Sequence, residues 1–165
     1  MKLFAAATII LAATSAYAAD LPMPTGETVL TFSGNVSQMN DGDKAVFDIE
    51  MLQALPQTTY TTTTIWTEGP HEFTGVLLSD LLAAVGSEPA LVNATAINDY
   101  AVEIPSEDAI PGGALLAYLF DGEQMSIRDK GPLWVVYNWD QDPAYKTEVV
   151  YSRSIVQLDR IEVKE

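Results

Sequence analysis

The sequence predicts an α+β domain, rich in strands and carrying two or three short helices. Three observations carry this. β-Branched and aromatic residues recur with period two in separate runs, most clearly Thr58 to Trp66. Apolar stripes at helical spacing are few and short. Asp121-Gly122 lies between two apolar runs, the composition of a tight hairpin turn.

Taken in order, Thr28 to Val36 alternates like a strand, and Asn40-Asp41-Gly42 makes a turn. Asp43 can cap a helix over 44–54, whose stripe is Val46, Ile49, Leu52 and Leu55 and which Pro56 stops. Thr58 to Trp66 follows as a strand, because threonine is stiff at χ1 and suits a pleated surface. A loop from Thr67 to Phe73 leads to Thr74, read as the cap of a helix that ends at Gly86. Leu78, Leu81, Leu82 and Val85 form its buried stripe. Leu91 to Ile97 and Ala101 to Ile104 are strands around an Asn98-Asp99 corner, followed by a polar turn over 105–111. Ala114 to Phe120, Gln124 to Ile127, Leu133 to Tyr137 and Ile155 to Val163 complete the strands.

The chain has 165 residues, with 8 basic against 23 acidic side chains and a net charge of −15. Such a surface repels nucleic acid and anionic lipid, so neither is an expected partner. Met1-Lys2, the apolar run Leu3 to Ala13 and Ala16-Tyr17-Ala18 together fit a secretory leader over residues 1–18, cut after Ala18. The run is too short for the ~20 residues of a spanning helix. The expectation is a soluble periplasmic protein without membrane insertion. Residues 19–27, with Pro22 and Pro24, form an extended arm, and residues 28–165 form one domain. There is no cysteine. That excludes disulfides, thiolate catalysis and zinc–sulfur sites. His71, the sole histidine, has no neighbouring nucleophile for a triad. Asn40 to Asp43 and Asp140-x-Asp142 lack the register of a calcium loop.

Five short elements stand in a distinctive order. They are Trp66 with Phe73-Thr74-Gly75-Val76-Leu77-Leu78 and Asp80-Leu81-Leu82; Asn98-Asp99-Tyr100; Leu116-Ala117; Asp121-Gly122; and Arg128-Asp129-Lys130-Gly131-Pro132-Leu133-Trp134-Val135-Val136-Tyr137. The series resembles the molybdopterin-binding core of the sulfite-oxidase family, over roughly Thr58 to Val163. The resemblance implies that family's β-rich fold and a pterin-type ligand. It also implies a metal-binding cysteine within what is here Thr61 to Thr64, and a hydroxyl cannot replace a thiolate as a soft ligand. Trp134 stands where the family carries a phosphate-reading arginine. A ligand without molybdopterin's phosphate tail, and without molybdenum, accounts for both departures. The pattern resembles most a subgroup of small periplasmic proteins that bind reduced pterins and signal through a membrane-bound regulator of cyclic-di-GMP. The resemblance therefore implies a non-enzymatic sensor or carrier, whose partners are a pterin and the periplasmic domain of a membrane signalling protein. A molybdopterin-dependent oxidoreductase, or an interaction module that has lost its ligand, are the alternatives.

A pterin needs aromatic faces for stacking, an acceptor for its amino and N3 donors, and a donor for its carbonyl. Trp66, Tyr100 and Trp134 are the expected faces, with core packing the competing role for both tryptophans. Asp99, beside Asn98, is the expected acceptor, unless it only makes an Asx-turn. Arg128 or Arg153 is the expected donor, unless each only pairs with the surplus acids. Arg153 and Ser154 fall where the resemblance places a cofactor loop.

Overall fold

In the computed structural model, which describes residues 20–88 and 90–165, ten strands fall into two sheets. The expected leader, residues 1–18, lies outside the described residues. No helix among them is long and apolar enough to cross a membrane.

The first sheet joins β1 (Leu30–Gly34), β2 (Ala45–Phe47), β5 (Val92–Ala96), β6 (Ala101–Ile104) and β10 (Leu158–Val163) in the order β2-β1-β10-β5-β6. Only the central β1–β10 pair is parallel, with Phe32 opposite Ile161. The second sheet runs β3 (Thr58–Thr63), β4 (Pro70–Leu77), β7 (Leu115–Phe120) and β8 (Glu123–Gln124). β9 (Trp134–Val136) also pairs with β7, at the end away from β8. An isolated bridge between Leu133 and Leu158 ties the two sheets together. Residues of both sheets join one buried cluster, which includes Phe32, Phe73, Val76, Leu116, Trp134 and Ile161. The three α-helices among the described residues, α1 (Ile49–Ala54), α2 (Leu78–Ala84) and α3 (Glu148–Arg153), are all short, as expected of an α+β domain.

Two expected helices begin elsewhere. Residues 45–47 form β2 against β1, with Leu30 opposite Phe47, so the helix expected over 44–54 starts only at Ile49. Its cap is Asp48 rather than Asp43. The Asp48 carboxylate accepts from Met51 N and from the Thr25 and Gly26 amides of the arm, each at 2.8 Å. Those three N–H groups hold its pKa below the usual carboxylate range. Likewise, Thr74 caps nothing: β4 begins at Pro70, inside the expected loop, and runs to Leu77. Gly75 explains the tight pairing there, since a Cβ would lie 2.0 Å from the Leu116 carbonyl. The helix expected from Thr74 is therefore only α2. Its stripe is as read, with Leu78, Leu81, Leu82 and Val85 fully buried. Asp121 (φ 49°) and Gly122 (φ 83°) turn the β7–β8 hairpin, both in the left-handed region that such a turn requires.

Candidate functional site

An open cleft of about 560 Å³ lies where four chain segments converge, a volume suited to a small molecule. Trp66 lines it from the β3–β4 loop, and Asn98 and Tyr100 from the β5–β6 corner. Asp129 and Lys130 enter from the segment before β9; Tyr151, Ser152 and Ser154 come from α3 and its end; Gln157 comes from the approach to β10.

Each wall is fixed by local chemistry. Thr64 Oγ1 accepts from the amides of Trp66 and Thr67, both at 3.0 Å, which turns the chain out of β3 and leaves Trp66 44% exposed. The Trp66 ring meets Trp134, Trp139 and Tyr151 edge to face, each with centroids 5.9 Å apart. At the corner, Asn98 Oδ1 accepts from Tyr100 N at 3.1 Å while Asp99 sits at φ 66°. Tyr100 is left 58% exposed. Thr147 caps α3 through Val150 N, and the buried Asp108 accepts from Arg153 Nη1 at 2.9 Å and from the Tyr137 hydroxyl at 2.7 Å. Burial first, and then the adjacent Asp108 carboxylate, push the Tyr137 hydroxyl pKa far up.

Of the expected site residues, Trp66, Asn98, Tyr100 and Ser154 line this cleft. Ser154 is buried: its hydroxyl donates to the Val135 carbonyl and accepts from Trp134 Nε1. The other four stand differently. Trp134 is completely buried, packed on Phe73 and beneath Trp66, so it supports the cleft without offering a face. Asp99 is engaged by Arg160 at 2.7 Å and lies outside the lining. Arg153 is engaged by Asp108. Arg128 is exposed and outside the lining. The cation of the cleft is Lys130, 3.3 Å from Asp129 and 5.5 Å from the centroid of the Trp134 ring. Lys130, Tyr151 and Gln157 were not singled out by sequence reasoning. Lys130 had a signal, its place in the Arg128 to Tyr137 element, but the arginines drew the assignment.

The Thr61 to Thr64 segment does not offer a soft metal ligand. Thr62 Oγ1 accepts from Asp140 N at 3.1 Å, the Thr63 amide and hydroxyl both donate to Asp140, and Thr64 Oγ1 serves the turn. None of the four lines the cleft. Among the described residues, no group of three or more His, Cys, Asp or Glu is placed to hold a metal ion. These donors do not fit the thiolate-held metal of a molybdopterin centre.

Asp140 also has a measurable consequence. The Thr63 amide and hydroxyl, followed by Lys146, push its pKa down to about 2. A carboxyl depressed by folding stabilises the native state above its unfolded pKa, and this contribution disappears as pH falls through the folded value. Thermal unfolding followed from the ordinary carboxylate range down to about pH 2 should therefore show falling stability. Asp140→Asn should flatten that slope, and an unchanged slope would refute the assignment.

The fold is that of a β-rich domain of the molybdopterin-binding type. The family pattern described as "Oxidoreductase molybdopterin binding domain" matches residues 21–140, and the chain belongs to that family. Among solved structures it resembles the sulfane dehydrogenase SoxCD from Paracoccus pantotrophus, with a TM-score of 0.58 and 20% identity. That likeness covers 82% of this chain and 37% of the other, and it is one of fold. No curated protein sequence gives a significant match.

Proposed function

We propose that this protein binds a pterin without molybdenum, and that it serves in the periplasm as a ligand sensor or carrier rather than as an enzyme. The observation that carries the reading is an open cleft walled by Trp66, Tyr100 and Tyr151, in a chain of this family that has no cysteine. Exposed aromatic side chains are unfavourable in water and useful to a flat heteroaromatic ring, which stacks with about 1–3 kcal/mol per face. Lys130 takes the donor role first given to arginine, toward the ring carbonyl. Residues 1–18 act as the export leader, and the response passes to the periplasmic domain of a membrane-bound signalling protein such as a cyclic-di-GMP regulator. Family membership favours one alternative, a molybdopterin-dependent oxidoreductase.

The test is direct, because all three tryptophans lie in one aromatic cluster. Titration with tetrahydropterin and with oxidised pterin should quench their fluorescence. Intact mass of protein recovered from the periplasmic fraction should show a chain starting at Ala19, and a native spectrum should show a retained pterin. Trp66→Ala should weaken binding about 5- to 150-fold, the equivalent of about 1–3 kcal/mol. One molybdenum atom per chain, or no quenching by either pterin, would overturn the proposal.

A further inference from the structure

Three non-glycine residues among those described have left-handed backbones: Asp99, Asp121 and Gln157. Aspartate tolerates that region through its short polar side chain, and the first two make turns. Gln157, at φ 54°, has no such excuse; a long side chain there costs stability and persists only when its surroundings over-determine it.

Three hydrogen bonds hold it. Gln157 N donates to the Lys130 carbonyl at 2.9 Å, its own carbonyl accepts from Ile97 N at 2.9 Å, and Nε2 donates to the Ile127 carbonyl at 2.6 Å. One residue thus joins the Asn98–Tyr100 corner to the 127–130 segment, two walls of the cleft. Donation by Nε2 also fixes the sense of the amide. Its Oε1 has no hydrogen-bond partner among the described residues and is not enclosed. Of the other side-chain acceptors of the lining, Asn98 Oδ1 accepts from Tyr100 N at 3.1 Å, and Asp129 is tied to Lys130 through Oδ1 alone, at 3.3 Å. Asp99, the acceptor expected from the sequence, is turned to Arg160.

We infer that Gln157 is the specificity-determining residue of the cleft: Oε1 accepts from the 2-amino and N3–H edge of a 2-amino-4-oxo ring. The inference rests on the pterin reading above. Both rings offer N3–H, but at C2 a pterin presents an amino donor where a 2,4-dioxopteridine presents a carbonyl, which a neutral amide oxygen held in one orientation repels. The cleft therefore selects 2-aminopteridines over 2,4-dioxopteridines. Flipping the amide to suit the latter would break the bond to Ile127.

The experiment titrates pterin and lumazine (2,4-dioxopteridine), each oxidised and in the tetrahydro form, into wild type, Gln157→Asn and Gln157→Gly. Fluorescence quenching gives the affinities, and melting curves are recorded alongside. Wild type should favour pterin about tenfold or more. Both variants suit a left-handed backbone and should stay folded, while the pterin-to-lumazine ratio falls to near one. Because the readout is a ratio within one protein, a change in stability does not move it. Variants that keep the wild-type ratio, or that lose both ligands in proportion, would reduce Gln157 to a scaffold residue and overturn the inference. Failure of wild type to bind any of the four compounds would instead overturn the pterin reading itself.

Discussion

Trp134→Ala is expected to lower folding stability by about 3–5 kcal/mol, the range for deleting a fully buried aromatic. The indole is inaccessible, with Phe73 at 5.2 Å and Trp66 at 5.9 Å between ring centroids. Its loss leaves a cavity between β9, β4 and the Trp66 loop, and it takes a donor from the Ser154 hydroxyl. Urea unfolding should show a lower midpoint with an unchanged slope, since the native surface changes little. Trp66→Ala removes a half-exposed ring and should cost much less stability while costing ligand affinity. The pair of variants therefore separates support from contact. Equal stability losses in both would mean that Trp66 is also core.

Where sequence and structure agree, the local pattern and the tertiary demand coincide. The Leu78, Leu81, Leu82 and Val85 stripe is legible because all four are buried. The Thr58 to Thr63 run is legible because β-branched side chains suit the strand they form. Where they differ, a distant partner decides. Asp43 and Asp48 are equally good caps in isolation. Asp48 wins because the arm brings the Thr25 and Gly26 amides to it, and because residues 45–47 find a partner in β1. Thr74 looks like a cap but spends its hydroxyl on Thr59 across the β3–β4 pair. α3 carries Val149-Val150, poor helix formers, and has one buried residue, so no stripe announces it. The site follows the same rule. Trp66, Asn98 and Tyr100, singled out through the family resemblance, do line the cleft. The pairings that withdraw Asp99 and Arg153 reach across 61 and 45 residues, beyond any local signal. Gln157 gave no signal, because it falls inside a run that reads as one continuous strand.

Asp108→Ala is expected to destabilise the domain by about 3–5 kcal/mol, the cost of breaking a buried ion pair by removing one partner. Asp108 is 6% exposed and accepts from two donors, Arg153 Nη1 and the Tyr137 hydroxyl. Without it, the largely covered guanidinium keeps its charge and loses its counter-ion. The fully buried Tyr137 hydroxyl loses its acceptor. Asp108→Asn separates the two losses, because an amide oxygen still accepts from Tyr137 but leaves the Arg153 charge unbalanced. It should lie between wild type and alanine in urea midpoint. The effect reaches the cleft through α3, whose end carries Tyr151, Ser152 and Ser154 into the lining. With its last turn untied, Tyr151 is less well held against Trp66, and pterin affinity should fall even where the variant remains folded. Hydrogen exchange read across 148–155 would show the cause directly. Faster exchange confined to that segment is the expected result. Exchange that stays at the wild-type rate would mean that α3 is held by its packing and not by Asp108.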